Sequence, residues 1–116
     1  MTNKLYAIAQ FTVHEGKEQA FRAQAATVFE AVREKDPGTF CYEWFISADG
    51  RQCTVIDGYE NSDAVIAHFK NVGALMKPLM HMCDAKIDFV GTPSPQLAEM
   101  MRLKPESLKH RFQGLL

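Results

Sequence analysis

The sequence predicts an α+β domain whose elements run β-α-β-β-α-β, the split βαβ order of a ferredoxin-like sandwich. Three observations carry this. Leu5 to Val13 alternates residue by residue, and Glu18 to Lys35 bears an apolar stripe at three- and four-residue spacing. Two runs of aromatic and β-branched residues then flank an Asp-Gly turn and lead directly into a helix start at Glu60-Asn61-Ser62-Asp63.

In the first strand Leu5, Ala7, Ala9, Phe11 and Val13 fall on one face, and Tyr6, Ile8, Gln10, Thr12 and His14 on the other. Both faces carry apolar groups, which predicts cover on both sides. His14-Glu15-Gly16-Lys17 is the turn. The helix from Glu18 to Lys35 presents Ala20, Phe21, Ala25, Val28, Phe29 and Val32 to a sheet. Asp36-Pro37-Gly38 ends it, because a residue before proline is pushed out of the α region. Thr39 to Ser47 is the second strand, with Phe40, Tyr42, Trp44 and Ile46 on one face and Cys41, Glu43 and Phe45 on the other. Ala48-Asp49-Gly50-Arg51 is a hairpin turn, and Gln52 to Tyr59 returns as the antiparallel third strand.

Asn61 or Ser62 caps a second helix, Asp63 to about Asn71, with Val65, Ile66, Phe69 and Val72 inward. Gly73 is expected to break it. A Met-rich helical stretch then runs from Ala74 to Met82, interrupted by Pro78, before a fourth strand from Ala85 to Val90. Residues 92–116 extend the domain formed by residues 1–91. The extension begins with the Thr92-Pro93-Ser94-Pro95 link, continues as a helix from Gln96 to Leu103, and offers Ser107 to Phe112 as an extra strand.

This order places four strands in one antiparallel sheet with both helices on one face. The Leu5/Phe11 set and the Tyr42/Trp44 set are expected to look in opposite directions. A large bare apolar sheet face is not tolerated on a soluble monomer, so the expectation is a homodimer with two sheets packed face to face.

The 116 residues are enough for one domain, with 13 basic against 14 acidic side chains and a net charge of −1. This balance points away from a nucleic-acid backbone or an anionic membrane as partner. Three cysteines, Cys41, Cys53 and Cys83, lack metal-ligand or redox spacing and read as reduced thiols in a cytoplasmic protein. No apolar run approaches the roughly 20 residues needed to span a bilayer. His81-Met82-Cys83-Asp84 gathers ligand types without a metal-binding spacing, and no phosphate-binding glycine loop or hydrolase nucleophile motif is present. No metal and no cofactor are expected.

Taken together, these motifs resemble the antibiotic biosynthesis monooxygenase (ABM) superfamily of dimeric α+β barrels. The resemblance rests on Val13-His14-Glu15-Gly16-Lys17, on Pro37-Gly38-Thr39 before Cys41-Tyr42-Glu43-Trp44, and on Tyr59-Glu60-Asn61 ahead of a helix carrying Ala67-His68-Phe69. It covers residues 4 to about 90. It implies a cofactor-independent monooxygenase that oxidises electron-rich aromatics, such as anthrones and quinols, with dioxygen. Other members degrade heme, or isomerise or bind small metabolites. The heme-degrading branch relies on an asparagine in the first strand, a tryptophan ending the third and a histidine in the second helix. Here Gln10 and Tyr59 replace the first two and Trp44 lies on the second strand, which disfavours heme degradation.

Cofactor-free oxygenation needs an apolar pocket, a base that removes a phenolic proton, and donors that stabilise the resulting anion. A neutral imidazole suits the base near neutral pH. His68, beside the inward Phe69, and His81, after the Met-rich segment, are the candidates. Each is weighed against an ordinary surface histidine. His14 reads as structural and His110 as a tail residue. Trp44, Tyr42, Tyr59, Phe69 and Met76 are the candidate substrate contacts, weighed against ordinary core packing. A non-catalytic dimer that binds a hydrophobic metabolite and a small-carbonyl isomerase are the competing readings.

Overall fold

A computed structural model of the chain describes residues 3–115. The elements are β1 (Leu5–Val13), α1 (Glu18–Lys35), β2 (Thr39–Ile46), β3 (Gln52–Tyr59), α2 (Ser62–Met80), β4 (Cys83–Val90), α3 (Pro95–Met100) and a 3-10 turn at Pro105–Ser107. The strands form one sheet in the order β2-β3-β1-β4, every pair antiparallel. This is the ferredoxin-like α+β fold. Helices α1 and α2 lie side by side on one face. Gln24 Nε2 donates to the Leu75 carbonyl at 2.8 Å and Asn71 Nδ2 to the Ala31 carbonyl at 2.9 Å, which locks the two helices together.

Two buried clusters fill the space between sheet and helices. Phe11, Val13, Phe21, Val28, Val72 and Leu79 anchor one. Leu5, Tyr59, Val65, Ile66 and Leu97 anchor the other, so α3 closes the second core with Leu97.

The structure departs from the sequence expectations at four places. Helix α2 is continuous from Ser62 to Met80 rather than broken at Gly73. The Asn61 side chain caps it by accepting from the Ala64 N–H at 2.9 Å, a contact worth about 1 kcal/mol. Tertiary ties to α1 then carry the helix past Gly73. Pro78 falls in the last turn, where its missing N–H forfeits only one helical hydrogen bond. Strand β4 accordingly begins at Cys83, two residues early.

The second departure concerns the sheet faces. Ala9 is paired with Val55, and Val55 with Trp44, so side-chain parity carries straight across three strands. Tyr42 and Trp44 therefore share the helix-side face with Leu5 and Phe11 rather than opposing them. The Phe11 and Trp44 rings are stacked with centroids 6.3 Å apart. Third, a bulge between Thr39 and Cys41 breaks the alternation. It separates Phe40 from Tyr42 and Trp44 and turns its ring onto Tyr6, edge to face at 5.8 Å, on the outer face.

Fourth, the extension forms no strand among the described residues. Helix α3 ends at Met100, and residues 108–115 are irregular. The Gly91 N–H donates to the Lys109 carbonyl, and Lys109 Nζ pairs with Asp88 at 2.7 Å. One backbone bond holds this segment beside β4 without extending the ladder.

Candidate active site

Small side chains at the centre of the sheet make room for a cavity. Ala7 and Ala9 of β1 form part of its floor, α2 lies over it, and it opens between the two packed clusters. Its volume is about 350 Å³, at the lower end of the range for small-molecule sites. Tyr42, Trp44, Tyr59, Phe69 and Met76 all line it, and Gly73 lies at its rim. The walls are overwhelmingly apolar, and the polar groups that reach them are few enough to account for one by one.

The first is His68, only 5 % exposed, from the middle of α2. Its Nδ1 lies 2.9 Å from Oδ2 of Asp36, which is 6 % exposed. The loop after α1 brings this carboxylate in. Gly38 allows the close approach, since a Cβ there would fall 2.6 Å from the Ala64 Cβ, one helical turn before His68. A carboxylate only accepts, so Nδ1 carries the hydrogen of this bond and Nε2 keeps its lone pair in the neutral ring. Nε2 makes no hydrogen bond to a described residue. Aromatic rings box the imidazole in: Tyr59 at 5.3 Å, Tyr42 at 5.6 Å and Phe69 at 5.9 Å between centroids.

The second group is the pair Tyr59–Asp57 on β3. The Tyr59 hydroxyl donates to Asp57 Oδ2 at 2.8 Å. Burial pushes the Asp57 carboxyl above the usual aspartate range, against the opposing pull of the Tyr59 hydrogen bond and of His68. Burial, with the Asp57 charge added, raises the Tyr59 and Tyr42 phenols far above the ordinary tyrosine value. The Trp44 N–H acts on the Tyr42 oxygen and opposes that rise, though it forms no well-made hydrogen bond. Both tyrosines are therefore neutral at any ordinary pH. Asp36 Oδ1, Asp57 Oδ1 and Trp44 Nε1 are buried without a hydrogen-bond partner among the described residues. Such atoms cost free energy when left unpaired.

Six of the seven residues singled out from the sequence thus meet at one cavity: His68, Tyr42, Trp44, Tyr59, Phe69 and Met76. The seventh does not. His81 is the C-cap of α2, exposed and off the cavity wall. His14 pairs with Asp84 at 3.2 Å, and His110 with the Thr92 hydroxyl at 2.6 Å, both at exposed positions. Two acids were missed, Asp57 on the cavity wall and Asp36 behind His68. Asp57 shares strand parity with the inward Cys53, Val55 and Tyr59, so the alternation contained the signal. Asp36, read only as a helix terminator, gave none. Among the described residues no three His, Cys, Asp or Glu side chains cluster as a metal site.

Comparison with known proteins agrees with this architecture. Residues 5–75 match the family described as antibiotic biosynthesis monooxygenase. No curated protein matches the chain. Among solved structures, MupZ from Pseudomonas fluorescens superposes with a TM-score of 0.78 at 18 % identity, covering 100 % of this chain and 91 % of that one. SnoaB from Streptomyces nogalater, a cofactor-independent oxygenase solved as a point mutant, gives 0.67 at 16 % identity over 80 % of this chain and 96 % of its own. Rv0793 from Mycobacterium tuberculosis gives 0.68 at 17 % identity over 78 % and 96 %. At these identities the likeness is one of fold. The family match spans more than half the chain, and the protein belongs to the antibiotic biosynthesis monooxygenase family.

Proposed function

We propose that the protein is a cofactor-independent monooxygenase acting on a small aromatic, quinol- or anthrone-like substrate. The observation that carries this reading is a buried imidazole–carboxylate pair, His68–Asp36 at 2.9 Å, set into the wall of an aromatic cavity. A surface histidine or a packing histidine has no need of a desolvated carboxylate behind it. A base does: the carboxylate fixes the tautomer and stabilises the imidazolium that forms.

The chemistry follows from those groups. A flat phenol enters between Trp44, Tyr42 and Phe69, and His68 Nε2 takes the phenolic proton. The phenolate gives one electron to dioxygen, and the radical pair recombines to a peroxide at the activated carbon. Loss of water leaves a carbonyl. One oxygen atom stays on the product, the other departs as water, and the activated CH2 supplies the electrons. Tyr42, held neutral, supplies an O–H donor to the developing anion.

The same reading makes the protein a homodimer through the outer sheet face. Phe45, 54 % exposed, and Phe40, 42 % exposed, together with Tyr6 support that assembly. No helix among the described residues is long and apolar enough to cross a membrane.

The test is oxygen uptake by metal-stripped protein across a panel of quinols and anthrone-like phenols, with product mass recorded. The expected result is uptake above autoxidation with one oxygen gained, lowered about 10²- to 10⁴-fold in His68→Ala. Tight binding of panel members without turnover would favour a non-catalytic binder of hydrophobic metabolites instead.

A further inference from the structure

The cavity holds a second ionisable group for which deprotonating the substrate leaves no task. Asp57 reaches the cavity from the centre of the sheet, opposite Ala7 of β1. Its two oxygens are treated differently. Oδ2 is tied to the Tyr59 hydroxyl at 2.8 Å, and Oδ1 is buried with no partner among the described residues. No lysine or arginine among those residues compensates it. The ionisable groups around it are Tyr59 of its own strand, Tyr42 and Cys41 of β2, His68 of α2 and, behind His68, Asp36. A structural hydrogen bond to Tyr59 needs one oxygen and would be served as well by an amide. A carboxyl with one oxygen anchored and the other orphaned at an apolar cavity is built to present that second oxygen to a ligand.

We propose that Asp57 is the acid of the oxygenation, delivering its proton from Oδ1 to the departing oxygen of the peroxide while His68 serves as the base. The inference rests on the oxygenase reading. Both groups contact Tyr59, whose ring is 5.3 Å from the imidazole and whose hydroxyl bonds Asp57. In the second half of the reaction the carbon-bound hydroperoxide loses its C–H proton to a base. That electron pair forms the C=O bond and the O–O bond breaks. Hydroxide is too poor a leaving group to depart unprotonated, and a proton from Asp57 lets it leave as water. The carboxylate left behind accepts from Tyr59 and regains its proton through the imidazolium and solvent. Raising the Asp57 carboxyl by burial serves this role, since it holds the proton to higher pH than a surface aspartate does.

The variant Asp57→Asn keeps an acceptor for Tyr59 and a donor in place of Oδ1 but has no transferable proton. In a protein that turns over, Asp57→Asn is expected to release most product as the hydroperoxide, two oxygens heavier than the substrate, and to lose the alkaline decline in carbonyl yield that the wild type shows. An unchanged carbonyl yield and pH profile would overturn the assignment while leaving the oxygenase reading intact. Carbon-13 titration of the Asp57 carboxyl in the ligand-free wild type needs no substrate. A midpoint well above about 3.9 is expected. An ordinary midpoint would overturn the assignment whatever the activity, and absence of oxygen uptake in the wild type would remove the oxygenase reading itself.

Discussion

The two faces of the sheet come from the same four strands and have opposite characters. On the helix side, small residues at the centre and large aromatics at the margin enclose a cavity lined by Asp57 and His68, with the buried Asp36 behind the imidazole. On the outer side, aromatic residues are more exposed: Phe45 and Phe40 stand among Glu43, Gln10, Lys86 and Asp88, and Lys4 lies over the Phe40 ring. The inner face concentrates unpaired polar atoms where water is scarce, which costs stability. The outer face keeps its charges in solvent and offers apolar area, which suits packing against another surface and little else. The candidate site and the proposed interface are thus separated by side-chain parity and, at Phe40, by the bulge in β2.

That contrast can be broken by single substitutions. The largest effect is expected for Trp44→Ala on the inner face. Removing an indole stacked on Phe11 should lower stability by about 2–4 kcal/mol, toward the lower end of the range for aromatic truncations because Trp44 is only half buried. It should also admit bulkier ligands. Denaturant unfolding checks the first and a ligand-size series the second. On the outer face, Phe45→Glu should leave subunit stability within about 0.5 kcal/mol, yet convert a dimer to monomer by light scattering. A wild-type monomer at micromolar concentration would remove the interface from the account.

Much of this was legible beforehand, and the failures have physical causes. Period-two alternation reveals β1, and an apolar run after the Asp-Gly turn reveals β3; the stripe on α1 is buried at Phe21, Val28 and Val32 and half-buried at Ala25, while Ala20 and Phe29 at its margins are exposed. The face of Trp44 was misassigned because relative register between strands depends on pairing, which no single strand reveals. Phe40 followed a bulge that alternation cannot show. Gly73 and Pro78 looked like punctuation, but Gln24 and Asn71 bind α1 to α2 and outweigh local propensity. The His68–Asp36 pair joins residues 32 apart through a loop, and only three-dimensional proximity could expose it.

Smaller effects sharpen the picture. Apart from its chain neighbours and the surrounding helix backbone, no described atom lies within 4 Å of where a Gly73 Cβ would stand, so Gly73→Ala should stabilise the helix by about 0.5–1 kcal/mol while narrowing the cavity. Higher thermal stability with weaker binding of the largest ligands is the expected pair of results. The raised Asp57 carboxyl has a signed consequence. The folded state holds that proton more tightly than the unfolded chain, so this group's contribution to stability declines as pH rises from about 4 through the folded-state value. Asp57→Asn should abolish that decline, read as the difference between wild-type and variant unfolding curves across the window. Least of all, His81→Ala should change neither stability nor turnover, since its ring is exposed and off the cavity.

The most direct test of the central claim is a crystal structure of the protein soaked with an anthrone-like phenol. The ring is expected flat against Trp44 and Phe69, with its phenolic oxygen within hydrogen-bond distance of His68 Nε2. A ligand bound elsewhere, or bound in the cavity with its oxygen turned away from His68, would contradict it.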